Sequence, residues 1–413
     1  MDVVTESVVA TALRTLPGPE PRLVAGGNFG TPWELVRLAD NTLERCRLLV
    51  MNPQAGWPRR YGMVTESPFL GAGVRNDPTV DYLPMRLSLV PALFGSVRPP
   101  DAVLIHTSTP RHGKVSLGIE VNILPAAIEA ARRRGGLVIA QLNASMPYTH
   151  GDAEIDVDQI DLAVEASAAL PTPAQRPPDD VASRIGELVA TMAIDGATLQ
   201  VGIGQVPDAA LGQMHARRSL GVWSELISDG VLSLERAGSL DRSRVMTTSF
   251  LLGSAEFYAW ADDNPRLIMR RTETVNDPAR IAAQPAMFSL NTAIEIDLFA
   301  QANASYVRGA IYSGFGGQPD FVGGALHSRG GHAVIALRSW HEKSDHSCVV
   351  PILHDPVCSF QHSEVVTEQG IAAISGQSQR TQARRLIDEA AHPRVRDELR
   401  EAAGSLGLAS LAV

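Results

Sequence analysis

Short apolar runs that break at glycine and restart as helical patterns are the feature that most constrains this chain. Leu23–Ala25 runs into Gly26-Gly27-Asn28-Phe29-Gly30, after which Pro32 opens a helical pattern through Leu35, Leu38 and Leu43. Leu48–Met51 reads as the next buried strand, and Ala102–Ile105 as another that ends at His106. An alanine-rich helix over Pro125–Arg134 follows, and Gly135-Gly136 separates it from a further strand, Leu137–Leu142. Strands that alternate with helical patterns, and that are apolar without a period of two, define an α/β fold. Shortness and flanking glycines decide strand over buried helix where periodicity alone cannot.

The same punctuation returns past the middle of the chain. Thr198–Val201 is an apolar strand that ends in Gly202-Ile203-Gly204, with Pro207 near the start of a helix through Leu211. Two similar α/β halves account for this, as does the common habit of βα loops to use glycine and proline. Between the halves lies LPTPAQRPPDD, residues 170–180, whose four prolines prevent a regular element and mark a linker. Asp179 or Asp180 then caps a helix that runs to about Ala193. A length of 413 residues exceeds one compact core, so two domains are expected, 1–175 and 176–413.

Charge and composition exclude several classes. A net charge of −9 argues against a general nucleic-acid surface, although arginines and backbone amides still bind a phosphate locally. Lys114 and Lys343 are the lysines of the chain, and the remaining positive charge is arginine. Cys46, Cys348 and Cys358 lack metal or redox spacing and read as reduced, partly buried thiols. Residues 1–16 read as an amphipathic helix, not a signal peptide, and no stretch approaches about 20 apolar residues. A cytoplasmic protein that does not engage a membrane is the expectation.

Three segments have residue types that can support chemistry. Gly202-Ile203-Gly204-Gln205-Val206 is a strand-to-helix turn that lets a ligand approach the backbone and places a helix N-terminus beside it. It lacks the third glycine of a dinucleotide fingerprint and the Gly-Lys-Ser/Thr of a P-loop, so taken alone it is better explained as a bare βα turn. In Ser224-Glu225-Leu226-Ile227-Ser228-Asp229-Gly230-Val231, Glu225 is a carboxylate at a strand end, where α/β sites form, or a solvated glutamate. Tyr312–Phe321, with Ser313, Gly314, Gly316 and Gly317, concentrates glycines whose amides can cradle an oxyanion or allow loops to cross closely. The histidines show no HExxH spacing and the glycines no GxSxG elbow, which leaves metal and serine hydrolases without support.

Taken in order, the segments DAVLIHTSTPRHGKVSLG (101–118), QLNASMPYTHGD (141–152), DGATLQVGIGQVPDAAL (195–211), SELISDGV (224–231), TVNDP (274–278), LNTAIEIDL (290–298), YSGFGGQPDFVGGA (312–325), SRGGHAVIAL (328–337) and VVTEQGIA (365–372) resemble the acetyl-CoA hydrolase/transferase family of class I CoA-transferases. The likeness is to its shorter members, the 4-hydroxybutyrate and butyryl-CoA:acetate CoA-transferases. It implies two related α/β domains with mixed sheets and an active site at their interface, the catalytic glutamate lying in the C-terminal domain. It implies that Glu225 is the nucleophile and carries CoA as a glutamyl thioester, and that Gly202, Ile203, Gly204, Gln205 and Val206 contact CoA. Ser313 and Gly314 fall in the CoA-binding set, Gly317 where an oxyanion-hole amide is expected, and Asn276 close to the catalytic glutamate. Coenzyme A enters as substrate, and neither a metal nor a redox cofactor is implied. The partners are an acyl-CoA and a small carboxylic acid, and a homo-oligomer, a dimer, is expected.

Some positions depart from the family pattern. Tyr148 and Gly323 stand where arginine is usual, and Gln369 where tyrosine is usual. Arginine's fork orients a carboxylate and neither Tyr nor Gly replaces it, so poor use of acetate and a preference for larger or less polar acyl groups are expected. Two alternatives share the motifs: an acyl-CoA hydrolase that uses the same glutamate, and a CoA-binding protein without turnover.

Overall fold

A computed structural model describes residues 1–174 and 176–409. They form two compact units, Met1–Pro173 with Val245–Asn276, and Ala174–Arg244 with the residues from Asp277 onward. The boundary expected at 175 falls on Gln175, which lies outside the described residues.

In the first unit, β1 (Asp2–Val3), β2 (Arg22–Ala25), β3 (Cys46–Val50), β4 (Met63–Ser67), β5 (Asp81–Tyr82), β6 (Ala102–Thr107), β7 (Leu137–Leu142) and β8 (Leu162–Glu165) form one sheet. Their spatial order is β1-β8-β7-β6-β2-β3-β4-β5, and every pairing is parallel. All six residues of β6 are buried, as are Val138–Leu142 of β7. Parallel strands covered on both faces need apolar residues at consecutive positions, which is why these segments show no alternation. Helix α1 (Glu6–Arg14), α2 (Trp33–Thr42) and α3 (Leu124–Arg133) belong to this unit. The alanines of α3 let it lie close on β6 and β7.

Two details differ from expectation. The amphipathic helix expected over 1–16 is present as Glu6–Arg14, but a strand precedes it: Asp2 and Val3 pair with Leu162 and Ala163, with Val4 N–H donating to the Ala163 carbonyl at 2.8 Å. Consecutive β-branched valines at an open sheet edge favour that pairing over a first helical turn. Residues 245–276 join the first unit because Met246–Thr248 and Leu267–Met269 pair with each other, and Leu267–Met269 with His150–Gly151. A short parallel sheet thus draws in a segment that follows the linker.

The arginine-rich composition has one clear structural use. Glu66, fully buried on β4, accepts from Arg22 Nε at 3.1 Å and Arg47 Nη1 at 2.9 Å, and also from Arg98. Burial opposes its charge, but these guanidinium groups outweigh it and hold the carboxyl below the usual carboxylate range.

In the second unit, β9 (Thr198–Val201), β10 (Gly221–Val222), β11 (Met287–Thr292), β12 (His332–Ala336), β13 (Glu364–Thr367) and β14 (Gly370–Ala373) are ordered β10-β9-β11-β12-β13-β14. Only the last pairing, β13 with β14, is antiparallel, so this sheet is mixed whereas the first is wholly parallel. The unit's helices include α4 (Asp180–Met192), α5 (Gln205–Gln213), α6 (Asp229–Arg236) and α7 (Gln318–His327). Asp179 caps α4 as expected, its Oδ1 accepting from Ala182 N–H at 3.0 Å. Among the described residues, no helix is long and apolar enough to cross a membrane.

Each unit buries one histidine that must stay neutral. Burial pushes His106 in the first unit and His362 in the second down to about 4. The unfolded chain takes up these protons near pH 6.5 and the folded chain only near 4, so stability is complete above 6.5 and falls as pH drops through that window. Each site contributes up to about 3 kcal/mol to the loss. Urea midpoints measured from pH 7 to 4.5 are expected to fall, and His362→Leu to flatten the slope; an unchanged slope in that variant contradicts the assignment.

Candidate active site

The two glycine turns occupy equivalent places in their sheets. In the first unit the chain runs from β2 outward to β5, then returns to build β6 to β8 on the other side of β2. In the second, β10 lies on one side of β9 and β11 on the other. Where strand order reverses, the loops leave in opposite directions and open a crevice at the carboxyl ends, the usual ligand position in α/β sheets. Gly26-Gly27-Asn28 follows β2 at the first switch point, and Gly202-Ile203-Gly204 follows β9 at the second.

The carboxyl edge of the second sheet gathers most of the residues singled out in the sequence. Trp223 N–H donates to the Leu199 carbonyl at 3.0 Å, and Ser224 Oγ to the Val201 carbonyl at 3.4 Å. These bonds seat the bend at Glu225 against the last residue before the glycine turn. Glu225 is half-buried, and the small apolar cavity lined by Val201, Val222, Ser224, Leu226 and Val231 measures only about 10 Å³. That space suits packing rather than an acyl chain. Ser228 is the N-cap residue of α6 but makes no side-chain capping bond.

The turn itself is open. Ile203 is 50 % exposed, and Gly204 ends the loop at φ +121° as the N-cap residue of α5. A Cβ built on Gly202 meets no atom within 4 Å, and its φ is not in the left-handed region, so nothing in the chain itself demands glycine there. Gly27 in the first unit differs, because a Cβ there would lie 2.0 Å from the Met51 carbonyl oxygen. Gly204 leads directly into α5, and a helix N-terminus favours an anion. Gln205, the first residue of α5, is held on both ends: its Nε2 donates to the Pro177 carbonyl at 3.2 Å and its Oε1 accepts from Arg338 at 3.2 Å. Arg338 also pairs with Asp179 at 2.7 Å.

Ser313, Gly314 and Gly317 form the next stretch. Ser313 Oγ donates to the Ala304 carbonyl and Ser305 Oγ to the Gly314 carbonyl, both at 2.9 Å. Their polar groups are thereby spent on shaping the loop. Gly316, at φ +56°, turns the chain into Gly317, the N-cap residue of α7, which packs on β11 and β12. Gln318 Nε2 reaches the Thr292 carbonyl at the end of β11, at 3.4 Å. Asn276 belongs to the other unit, where it is fully buried and its Oδ1 accepts from Thr272 Oγ1 at 3.3 Å.

Several polar groups of this edge escaped the sequence reading. Gln200, Ser289 and Asn291 form a largely buried cluster, Ser289 Oγ donating to Gln200 Oε1 at 2.5 Å and Asn291 Nδ2 to Ser289 Oγ at 2.9 Å. Polar residues inside otherwise apolar strands were the available signal. Glu368, after β13, accepts from Ser339 N–H at 3.0 Å and from Gln369 Nε2 at 3.0 Å. Burial opposes its charge, yet the Ser339 and Gln369 bonds prevail and keep its carboxyl below the usual range. Gln369, the departure from tyrosine, thus steadies a carboxylate. Tyr148 is buried and donates to Glu154 Oε1 at 3.1 Å, while a Cβ on Gly323 meets open space.

Each of the two α/β units thus carries a switch point of the kind at which α/β folds bind ligands. The sequence matches the acetyl-CoA hydrolase/transferase N-terminal domain over residues 62–172 and the C-terminal domain over 253–403. It is 37 % identical over 348 residues to a 4-hydroxybutyrate coenzyme A transferase of Clostridium kluyveri, covering 80 % of each chain. It is 36 % identical to a succinyl-CoA:acetate/propanoyl-CoA:succinate CoA transferase of Fasciola hepatica, across 82 % of this chain and 73 % of that one. Among solved structures, RipA from Yersinia pestis superposes with a TM-score of 0.90 at 27 % identity, covering 98 % of both chains. The chain belongs to the acetyl-CoA hydrolase/transferase family.

The turn yields a stability test. Gly202→Ala fits without strain and is expected to change stability by less than about 0.5 kcal/mol. Gly204→Ala places a side chain at positive φ and should cost about 1 kcal/mol or more. Thermal or urea unfolding of the two variants checks the contrast, and equal losses would contradict the geometry.

Proposed function

We propose that this protein is a CoA-transferase that moves CoA from an acyl-CoA to a carboxylic acid through a thioester on Glu225. The observation that carries the reading is the pair of bonds that seat the Glu225 bend on β9, directly beside the open turn at the switch point. The relatives named above act by name on CoA esters of short acids, and acetyl-CoA hydrolases, such as that of Neurospora crassa at 26 % identity, are more distant.

The reaction needs a carboxylate and no resident cofactor. Glu225 attacks the acyl thioester carbonyl, giving an acyl-glutamyl anhydride and the CoA thiolate. The thiolate attacks the Glu225 carbonyl, the donor acid leaves as its carboxylate, and a glutamyl-CoA thioester remains. An acceptor carboxylate reverses both steps and departs as its CoA ester. Each step passes through a tetrahedral oxyanion, which the backbone N–H of Gly317 is assigned to receive; one such donor is worth about 3 kcal/mol. The amides of Gly202–Val206 and the start of α5 hold CoA, with Ser313 and Gly314 shaping the opposite loop. Asn276 orients the reacting carboxylate. Assembly as a homodimer in the cytoplasm belongs to the same reading.

Ping-pong kinetics are expected, with parallel lines when the donor is varied at several acceptor concentrations. Enzyme mixed with acyl-CoA alone should gain a borohydride-reducible thioester at Glu225, found by peptide mass. Glu225→Gln should lose at least about 10³-fold in turnover while it stays folded and binds CoA. Gly202→Val should raise the KM for the CoA ester at least about tenfold with little effect on kcat. Label at another residue, or an active Glu225→Gln enzyme, would sink the mechanism. CoA release that is independent of any added acid would turn the assignment to hydrolase.

Acceptor choice follows from the departures. With Tyr148 committed to Glu154 and Gly323 open, acetate should be a poorer acceptor than four-carbon acids, by at least about tenfold in kcat/KM. An acceptor panel with acetate at its head would contradict this.

A further inference from the structure

In the second unit, the polar cluster beside the open turn has bonding capacity that the mechanism above does not use. Gln200, on β9, is only 3 % exposed and sits between the buried apolar residues Leu199 and Val201. Its Oε1 accepts from Ser289 Oγ at 2.5 Å and from Asn291 Nδ2 at 3.3 Å, and Asn291 Nδ2 also donates to Ser289 Oγ at 2.9 Å. Gln200 Nε2 and Asn291 Oδ1 are left without a partner among the described residues. Turning both carboxamides end for end rebuilds the three bonds in reverse and leaves Gln200 Oε1 and Asn291 Nδ2 over instead. In either arrangement the pair keeps one donor group and one acceptor that it cannot consume internally.

The pair lies at an open part of the sheet edge. In the parallel register Gln200 is opposite Ser289 and Val201 opposite Leu290, so Asn291 comes next, beside Gly202. Asn291 is half-buried, and a Cβ on Gly202 meets no atom within 4 Å. The residue after Asn291, Thr292, accepts from Gln318 through its carbonyl, and Gln318 directly follows Gly317. Gln200 and Asn291 therefore stand where β9 and β11 end, between the glycine turn and the start of α7. A buried donor without an acceptor at such an edge calls for a partner from outside the chain.

The partner must both accept and donate. A carboxylate accepts only and would be opposed by the free acceptor, while an apolar chain leaves both groups unpaired. Secondary amides in series meet the demand, since they present carbonyls and N–H groups along one chain. We propose that Gln200 and Asn291 form a binding site for the two-amide arm of CoA, the stretch that joins its nucleotide to its thiol. This rests on the CoA-transferase reading, in which the turn and the start of α5 hold CoA and the thioester forms at Glu225 near the Gly317 amide. An arm that runs between those places passes the pair, whose bonds to it set how far the sulfur reaches.

Calorimetry on the full chain tests this with two probes, CoA and adenosine 3′,5′-bisphosphate, which lacks the arm and is read by competition against CoA. Gln200→Met and Asn291→Leu each remove one side of the pair. Each should weaken CoA at least about tenfold while the bisphosphate stays within about twofold of its wild-type affinity. Asn291 lies at the half-exposed end of β11, so Asn291→Leu keeps the test open should Gln200→Met fail to fold. Wild-type affinity for CoA in the folded variants would overturn the site even if CoA transfer is robust, as would equal losses for the two probes. A loss confined to CoA, in a protein without any transfer, would support the site and remove the transferase reading. A wild type that does not bind CoA would overturn both.

Discussion

Parallel pairing is the constraint on which the rest of this structure depends. When every strand runs the same way, every strand ends on the same edge, and the residues that follow them are gathered whatever their separation in sequence. Glu225 is thus brought beside Gly202 by the register of β10 on β9, in which Thr198 lies opposite Gly221 and Leu199 opposite Val222. A slip of one residue there would turn the strand over and send Ser224 away from the Val201 carbonyl. The positions of Gly317, Arg338 and Glu368 follow from the same arrangement through β11, β12 and β13.

Much of this was legible because parallel, doubly covered strands leave a strong mark. Ala102–Ile105, Leu137–Leu142 and Thr198–Val201 were readable as short, mostly apolar runs bounded by turn residues, and Asp179 as a cap, because each rests on local chemistry. The glycine turns were readable as turns. That they sit at switch points was not, since strand order depends on pairings between segments far apart. Glu225 shows the limit most clearly. As an isolated glutamate it was indistinguishable from a solvated one, and only the ordered set of motifs around it singled it out. The short pairing of Leu267–Met269 with His150–Gly151 left no signal, because two- and three-residue strands have no period to detect.

Glycine and asparagine play different parts at the two switch points. In the second unit, Gly202 faces open space, so the backbone is left bare for a ligand to approach. In the first, Gly27 and Gly30 are demanded by atoms of the chain itself, and side chains of Asn28, Asn52 and Glu120 fill the crevice. One architecture therefore presents backbone amides in one half and side-chain acceptors in the other.

The return of residues 245–276 to the first unit bears on the order in which the protein is made. A chain growing from its N-terminus has all eight strands of the first sheet after residue 165, yet this unit is not complete until Asn276 has emerged. By then β9, β10 and the Glu225 bend have also been synthesised, while β11 to β14 have not. The first unit therefore closes while the second is still a fragment whose two strands lack the rest of their sheet. During that interval the edge of β9 that β11 later covers is unpaired, and it is there that a nascent chain would be most exposed to mispairing or in need of a chaperone.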